Sequence, residues 1–399
     1  MIRTTTNAVL SHYRYNLNRS SLTMNQARNT VLTQRNFNSF AEDPVMATQC
    51  FQLRRSFQRV NSQFSVGESV CRKYDIAWHT MDSVINDVSN RLHDSAYAQV
   101  IKGLNDPTAS GRTSVGESLG ELAKSIVQTM NARYGDNFVF AGADGLNVPF
   151  TWDEKTGGLC YRGIPVDSHV PEVEMQAGGN PPVPQEFNQD GTPLTPNGDV
   201  YYRQKDGTMI SKADYETAEK NTAALDYMVR EEKKFADLGL GLQEEQDGSL
   251  IKTSAVNVAL QGIDFLGYGV DQDGDPKNVV SLIQRMSDIL KDCDPDSGAF
   301  KNGEADAEEL RRLAGKFEEA AGILTTRHTN LDTQKAFLDS NQLQLKENAY
   351  TLQQQFLGME DVDMADAITS FVWGKYCYDT ALKVGNSILS QSLMDYLNP

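Results

Sequence analysis

From Met46 to Leu92, apolar side chains recur at alternating steps of four and three residues: Met46, Cys50, Leu53, Phe57, Val60, Phe64, Gly67, Cys71, Tyr74, Trp78, Met81, Ile85, Val88 and Leu92. Only Gly67 departs from the apolar pattern. A mean step of 3.5 residues keeps one stripe of a helix turned toward a partner over many turns. At ~1.5 Å rise per residue the stretch makes a helix roughly 70 Å long. A second seam lies toward the other end, where Leu310, Phe317, Leu324, Leu331, Leu338, Leu345 and Leu352 repeat at strict seven-residue intervals. Its companion positions begin apolar with Leu313 and Ala320, then turn polar with Arg327, Gln334, Asn341 and Asn348. Polar positions of that kind reduce stability and fix register or partner choice. Phe57, Phe64, Tyr74 and Trp78 are bulky for a two-stranded zipper. The pattern therefore predicts three or more helices packed together, with both chain ends contributing to one bundle.

Boundary signals divide the rest. Asp43 caps the first long helix and Pro44 takes its first position, where a missing N–H is no loss; the helix is predicted to run to Asn105-Asp106-Pro107. Ser114-Val115-Gly116-Glu117 reads as a capping box that opens a helix carrying Val115, Leu119, Leu122, Ile126 and Met130 on one face and stopping near Gly135. Eight of the 13 prolines then fall between Pro149 and Pro196. Short runs such as Phe138-Val139-Phe140, Pro149-Phe150-Thr151-Trp152 and Val200-Tyr201-Tyr202 alternate with turn residues, the texture of a β-rich insert rather than a helical one. Helix returns with Val279, Val280, Ile283, Met286 and Leu290, followed by an acidic loop from Asp292 to Gly303 and the second seam. Gly358 interrupts that seam. Glu360, Asp361, Asp363 and Asp366 suit the first turn of a last helix, which carries Ile368, Phe371, Tyr378, Leu382, Leu389, Leu393 and Tyr396. The fold class is mainly α with a β-rich insert, the long heptad helices from both chain ends forming an elongated bundle and the insert a central outer domain. Three parts are expected: residues 1–43 with 358–399 as terminal helices, loose until assembly; 44–143 with 279–357 as a coiled-coil helical bundle; and 144–278 as the insert.

Charge refines this picture. Residues 1–105 carry a net charge of +5 and the remaining 294 a net of −22. The basic segment is thus matched within the chain, and the overall −17 repels phosphate backbones, which argues against nucleic-acid binding. The first 41 residues hold five Arg, no Lys and no acid. That composition fits an organelle transit peptide, or a segment that orders only when a partner arrives; the latter is favoured, because Val9, Tyr13, Leu17, Met24, Ala27 and Val31 keep helical spacing. No run of apolar residues is long enough to cross a membrane, and no cleaved secretory signal is expected.

The search for chemistry yields little. Five cysteines do not form a disulfide framework, and Cys50 and Cys71 sit on seam positions where a thiol behaves as a small hydrophobe. Asp271-Gln272-Asp273-Gly274-Asp275 opens like a calcium loop, but Pro276 and Leu282 stand where that loop needs glycine and glutamate. A solvated turn is the reading, with a different kind of ion site as the alternative. The histidines show no ligand spacing, and no nucleotide or nucleophile-elbow motif is present. No catalytic residue, cofactor or metal ligand is assigned.

Four segments resemble the flagellin superfamily and, within it, the hook-associated protein 3 family of hook–filament junction proteins. Phe37-Asn38-Ser39-Phe40-Ala41-Glu42-Asp43-Pro44-Val45-Met46-Ala47 is similar to the family's opening of the long helix. Phe138-Val139-Phe140-Ala141-Gly142 is similar to its aromatic-Phe-Ala-Gly signature. Met359-Glu360-Asp361-Val362-Asp363-Met364-Ala365-Asp366-Ala367-Ile368-Thr369 resembles its acidic motif before the last helix, and Leu393-Met394-Asp395-Tyr396-Leu397-Asn398-Pro399 its Leu-x-x-Tyr-Leu close. One departure is that Leu32-Thr33-Gln34-Arg35 lacks the glycine of the family's small-Gly-basic turn. The resemblance implies a structural protein, not an enzyme. It would be exported by the flagellar type III apparatus with an export chaperone and placed outside the cell between the first hook-associated protein and flagellin, self-associating into a ring. The seam residues Met46, Leu53, Phe57, Val60, Phe64, Tyr74, Trp78, Met81, Ile85, Leu92, Leu310, Phe317, Leu324, Leu331, Leu338, Leu345 and Leu352 would form its core. The terminal assembly helices would use Val9, Tyr13, Leu17, Met24, Ile368, Phe371, Leu382, Leu389, Leu393 and Tyr396. The alternatives are a flagellin-like filament subunit of the same fold, a cytoplasmic coiled-coil scaffold and, last, an enzyme with its activity in the insert.

Overall fold

Asp43 opens the first long helix as its position requires. In the computed structural model its Oδ1 accepts from the Val45 and Met46 amides at 3.1 and 2.9 Å, and the helix starts at Pro44. The structure describes residues 6–37, 39–89, 96–106, 108–153, 155–178, 180–194, 198–241, 243, 251, 255–294 and 296–397. The helices are α1 (Thr6–Thr33), α2 (Pro44–Ser89), α3 (Ala96–Asn105), α4 (Ala109–Met130), α5 (Lys212–Arg230), α6 (Gly262–Leu266), α7 (Val279–Lys291), α8 (Glu304–Glu360) and α9 (Met364–Leu397). Long helices from the two ends pack in pairs, α1 with α9 and α2 with α8, and small sheets make a central β-rich region.

The chain divides into two compact units: a terminal unit of residues 1–65 and 343–399, and a central unit of residues 66–342. The central unit holds the hydrophobic core. Tyr74, Ala77, Met81, Val84 and Val88 of α2 meet Leu310, Phe317, Leu324, Leu331 and Leu338 of α8, together with Val100 of α3, Leu119 and Ile126 of α4, and Ile283 and Met286 of α7. The bundle has more than two helices, as the bulky seam demanded. Helices α4 and α7 approach closely because Gly116 presents no side chain: a Cβ there would lie 2.9 Å from the Ser287 carbonyl oxygen. The fully buried Ser287 hydroxyl donates to Gly116 O at 2.6 Å.

Several boundaries differ from expectation. The stretch read as one helix to Asn105 is helical over Pro44–Ser89 and Ala96–Asn105 and ends where expected; residues 90–95 lie outside the described residues. Helix α4 begins at Ala109, one turn before Ser114. Thr108 caps it, accepting from the Gly111 amide at 3.2 Å, while Asp106 Oδ1 accepts from the Thr108 amide and hydroxyl. The helix stops at Met130; the next residues form a hairpin of β1 (Arg133–Tyr134) and β2 (Asn137–Phe138), turned by Gly135 at φ +59°. Gly358 does not end α8, which continues to Glu360.

The insert contains antiparallel strands and also a helix that the sequence reading missed. Strands β4 (Phe150–Trp152), β5 (Leu159–Tyr161) and β6 (Ile164–Pro165) form one sheet; β7 (Glu186–Phe187), β8 (Tyr201–Arg203) and β9 (Met209–Ser211) form another. Helix α5 follows directly, the Ser211 hydroxyl accepting from the Asp214 amide at 3.1 Å. Strand β10 (Phe235–Ala236) pairs with β11 (Val256–Asn257), and β3 (Ala141–Gly142) with β12 (Leu260–Gln261), Leu260 opposite Gly142 and Gln261 opposite Ala141. The Tyr161 hydroxyl donates to Phe140 O at 2.8 Å beside that pairing.

Candidate assembly surface

In the terminal unit, α1 and α9 each show a heptad stripe to the other. On α1 the covered positions are Leu10, Tyr13, Leu17, Ser20, Met24, Ala27 and Val31; on α9 they are Ala367, Phe371, Gly374, Tyr378, Ala381 and Gly385. The α9 stripe is built largely of small residues because the backbones come close. A Cβ on Gly374 would lie 3.2 Å from Met24 Cα, and one on Gly385 would run into the Tyr13 ring.

The large side chains of α9 therefore point elsewhere. Ile368, Val372 and Tyr376 form an i, i+4 ladder on the opposite face, and Trp373 stands beside it, its ring 6.1 Å from that of Tyr376. Trp373 and Tyr376 are 63% and 65% exposed. Helix α1 likewise exposes Tyr15 and Leu22, one heptad apart, and α2 exposes Val45 and Phe51. Against this, the apolar residues the terminal unit fully covers, among those described, are only Cys50, Leu345 and Ala367. An apolar surface of that extent on helices with so small a core marks an interaction surface.

The expected site residues separate accordingly. Tyr74, Met81, Leu310, Phe317, Leu324, Leu331, Leu338 and Leu345 are buried; Met46, Leu53, Phe57, Val60, Phe64, Trp78, Ile85 and Leu352 are half-buried. Phe57 meets Phe356 with ring centroids 5.5 Å apart, and Trp78 meets His328 at 5.2 Å. Tyr13, Leu17, Met24 and Phe371 lie on the facing stripes of α1 and α9, whereas Ile368 and Leu382 are exposed. Leu92 lies outside the described residues, as do the side chains of Val9, Leu389, Leu393 and Tyr396. Of the polar companions on α8, Asn341 is buried and donates to Leu238 O at 2.9 Å; Arg327 pairs with Asp264 at 3.4 Å; Gln334 and Asn348 are exposed.

The buried chemistry is structural in character. All five thiols are free. Burial, reinforced by the Asp339 and Asp75 carboxylates, pushes the Cys71 thiol up to about 11, which suppresses its thiolate. Burial alone pushes the Tyr74 hydroxyl up to about 12. The Asp271–Asp275 turn is exposed from Gln272 to Gly274, but Asp275 departs from the solvated reading: it is fully buried and shares Lys316 Nζ with Asp271 and Asp273 at 2.6, 2.5 and 2.8 Å. Arg312 adds a bond to Asp275 at 2.8 Å. The lysine ammonium occupies the centre of the three carboxylates. These cations lie about 40 positions downstream of the acids, so no local motif announced them. Nearby, a cavity of about 650 Å³ opens between α5 and α8; on its wall Asp226 accepts from the Tyr268 hydroxyl at 2.7 Å, and Lys316 holds the acidic turn.

Of the acids expected in the first turn of the last helix, Asp363 and Asp366 serve there, Asp363 accepting from the Ala365 amide at 2.8 Å. Glu360 itself ends α8, is buried, and pairs with Arg35 at 3.1 Å and with Arg54.

No protein-family model and no curated protein matches the chain. Among solved structures it is similar to one described as a flagellar hook-associated protein from Vibrio parahaemolyticus, with 12% identity, 80% of this chain and 99% of that one covered, and a TM-score of 0.47. FlgL of Xanthomonas campestris is 12% identical, with coverage of 76% and 99% and a TM-score of 0.43. Flagellar hook-associated protein-3 of Legionella pneumophila is 13% identical, with coverage of 76% and 98% and a TM-score of 0.42. These structural neighbours are flagellar hook-associated and junction proteins that cover most of this chain at low sequence identity.

Proposed function

We propose that this chain is a structural subunit of the bacterial flagellum that joins the hook to the filament. The observation that carries the reading is the terminal unit: two helices from opposite chain ends pair through small residues and leave bulky apolar side chains bare. Each large side chain covered by a neighbouring subunit contributes about 1.5–3 kcal/mol, so Ile368, Val372, Trp373 and Tyr376 together supply a driving force for assembly that the lone chain forgoes. The segments around Asp43-Pro44, Phe138–Gly142 and Met359–Thr369 tie this physical picture to the hook-associated protein 3 family.

In this reading the terminal helices, residues 1–43 with 358–399, order fully against neighbours. The bundle of 44–143 and 279–357 bears load, and the insert of 144–278 faces outward. Partners are the first hook-associated protein on one side, flagellin on the other and further copies of the chain in a ring, after export with a flagellar chaperone. The function is mechanical and non-enzymatic.

Immunogold electron microscopy of intact cells, with an antibody to residues 150–270, tests it. Gold at the boundary between hook and filament is expected. Gold along the whole filament would make the chain a filament subunit, and label only within cells would leave the cytoplasmic scaffold.

A further inference from the structure

The segment joining α1 to α2 and the segment joining α8 to α9 meet as a short two-stranded clasp. Asn36 N donates to Glu360 O at 2.8 Å and Val362 N to Gln34 O at 3.2 Å, around an antiparallel bridge between Arg35 and Asp361. The Asn36 side chain adds two bonds, Nδ2 donating to Met359 O at 2.9 Å and to Asp361 O at 3.0 Å. One residue thus serves three successive carbonyls at the C-terminal end of α8. The last carbonyls of a helix have no intrahelical donor, and most helices meet that need with residues just past their own end. Here Asp361 N donates to Leu357 O at 2.7 Å, while the donors to Met359 and Glu360 come from a residue 323 positions from Met359 in sequence.

Charge agrees with this geometry. Arg35 and Arg54 stand at the negative end of α8, where cations are favoured. Both reach the buried carboxylate of Glu360, and Arg54 also lies over the Phe356 ring, 5.7 Å from its centroid. Gln34 sits at φ +58°, in the left-handed region, a conformation that side chains other than glycine adopt at a penalty. The turn accepts that penalty while bringing Arg35 and Asn36 into register.

We propose that residues 34–36 are the C-terminal cap of α8, supplied from the opposite end of the chain, and that the clasp is a conformational coupler. The last turn of α8 and the α1–α2 joint are ordered together and released together. Glu360 acts as a positioning residue, holding Arg35 and Arg54 against the cap. The coupling is internal to one chain and holds whether or not the chain assembles, so its test stands apart from that of the flagellar reading.

Hydrogen exchange read by mass spectrometry on the full-length isolated chain decides it. Asn36→Ala removes both side-chain donors, and residues 355–362 should exchange at least about fivefold faster. Glu360→Gln should do the reciprocal, accelerating residues 30–37. Helix α7, in the central unit, is the internal reference and should be unchanged in both. If Asn36→Ala unfolds the chain, Asn36→Asp, which keeps the shape but loses the donors, replaces it with the same expectation. Acceleration confined to the segment carrying the substitution, with the opposite segment within twofold of the parent, would overturn the proposal.

Discussion

Replacing Asp275 with asparagine removes the one fully buried carboxylate of the central unit's ion cluster. In the parent chain burial disfavours its charge, but hydrogen bonds from Arg312 and Lys316 outweigh burial and hold the carboxyl at about 2, below the ordinary 3.8. That difference corresponds to about 2.5 kcal/mol of preference for the charged form in the folded state. Arg285 and Arg312 are nearly half exposed, so water takes over part of their interaction once the charge is gone. Lys316 keeps Asp271 and Asp273. We therefore expect Asp275→Asn to destabilise the central unit by about 2 kcal/mol at pH 7, against roughly 0.5 for Asp273→Asn, whose carboxylate is exposed and has one partner. The sign of the pH dependence follows from the lowered folded-state value. The contribution is complete above about pH 4, falls as pH drops, and at pH 2 retains less than about 0.5 kcal/mol. Urea unfolding followed by fluorescence in a Trp373→Phe background lets Trp78 and Trp152 report on the central unit alone. Equal losses for the two asparagine variants at pH 7 would refute the reasoning, as would a deficit of Asp275→Asn that persists undiminished at pH 2.

Three further outcomes test the terminal unit. Gly374→Val pushes a branched side chain against the Met24 backbone and should weaken α1–α9 pairing by about 1–3 kcal/mol, read as faster limited proteolysis of α1 with α7 still protected. Trp373→Ser, on the bare face of α9, should change the thermal stability of the isolated chain by no more than about 0.5 kcal/mol. It should nevertheless weaken assembly at least about tenfold in a seeded pelleting assay; equal assembly by parent and variant would remove that face from the interface. Gln34→Gly relieves the left-handed backbone and should stabilise the clasp by a few tenths to about 1 kcal/mol, seen as slower exchange of residues 30–37.

The seams were legible because their spacing is a property of single helices. Leu310, Phe317, Leu324, Leu331 and Leu338, at the seven-residue interval, are all buried in the central core, and Leu345 is buried in the terminal unit. Helix α5 was not legible: Lys212–Arg230 is mostly polar and buries only Leu225 fully, so its apolar spacing was too sparse to stand out after the strands that precede it. The ion cluster and the clasp were hidden for a different reason. Lys316 meets Asp275 and Asn36 meets Met359 only after the chain has folded, and no spacing along the sequence encodes such pairs.

Helix α9 shows where apolar periodicity misleads even on the right element. Reading the large residues as one stripe joins Phe371 and Tyr378, which face α1, to Ile368 and Leu382, which do not. The facing stripe is written instead in small residues, Ala367, Gly374, Ala381 and Gly385, which carry little hydrophobic signal but permit the closest approach. Gly374 and Gly385 lie eleven residues apart, almost one above the other on a helix. A helix with a small-residue face and a bulky apolar face has two surfaces to satisfy. Within the chain, α1 covers the first, and the second is the one the proposed assembly must fill.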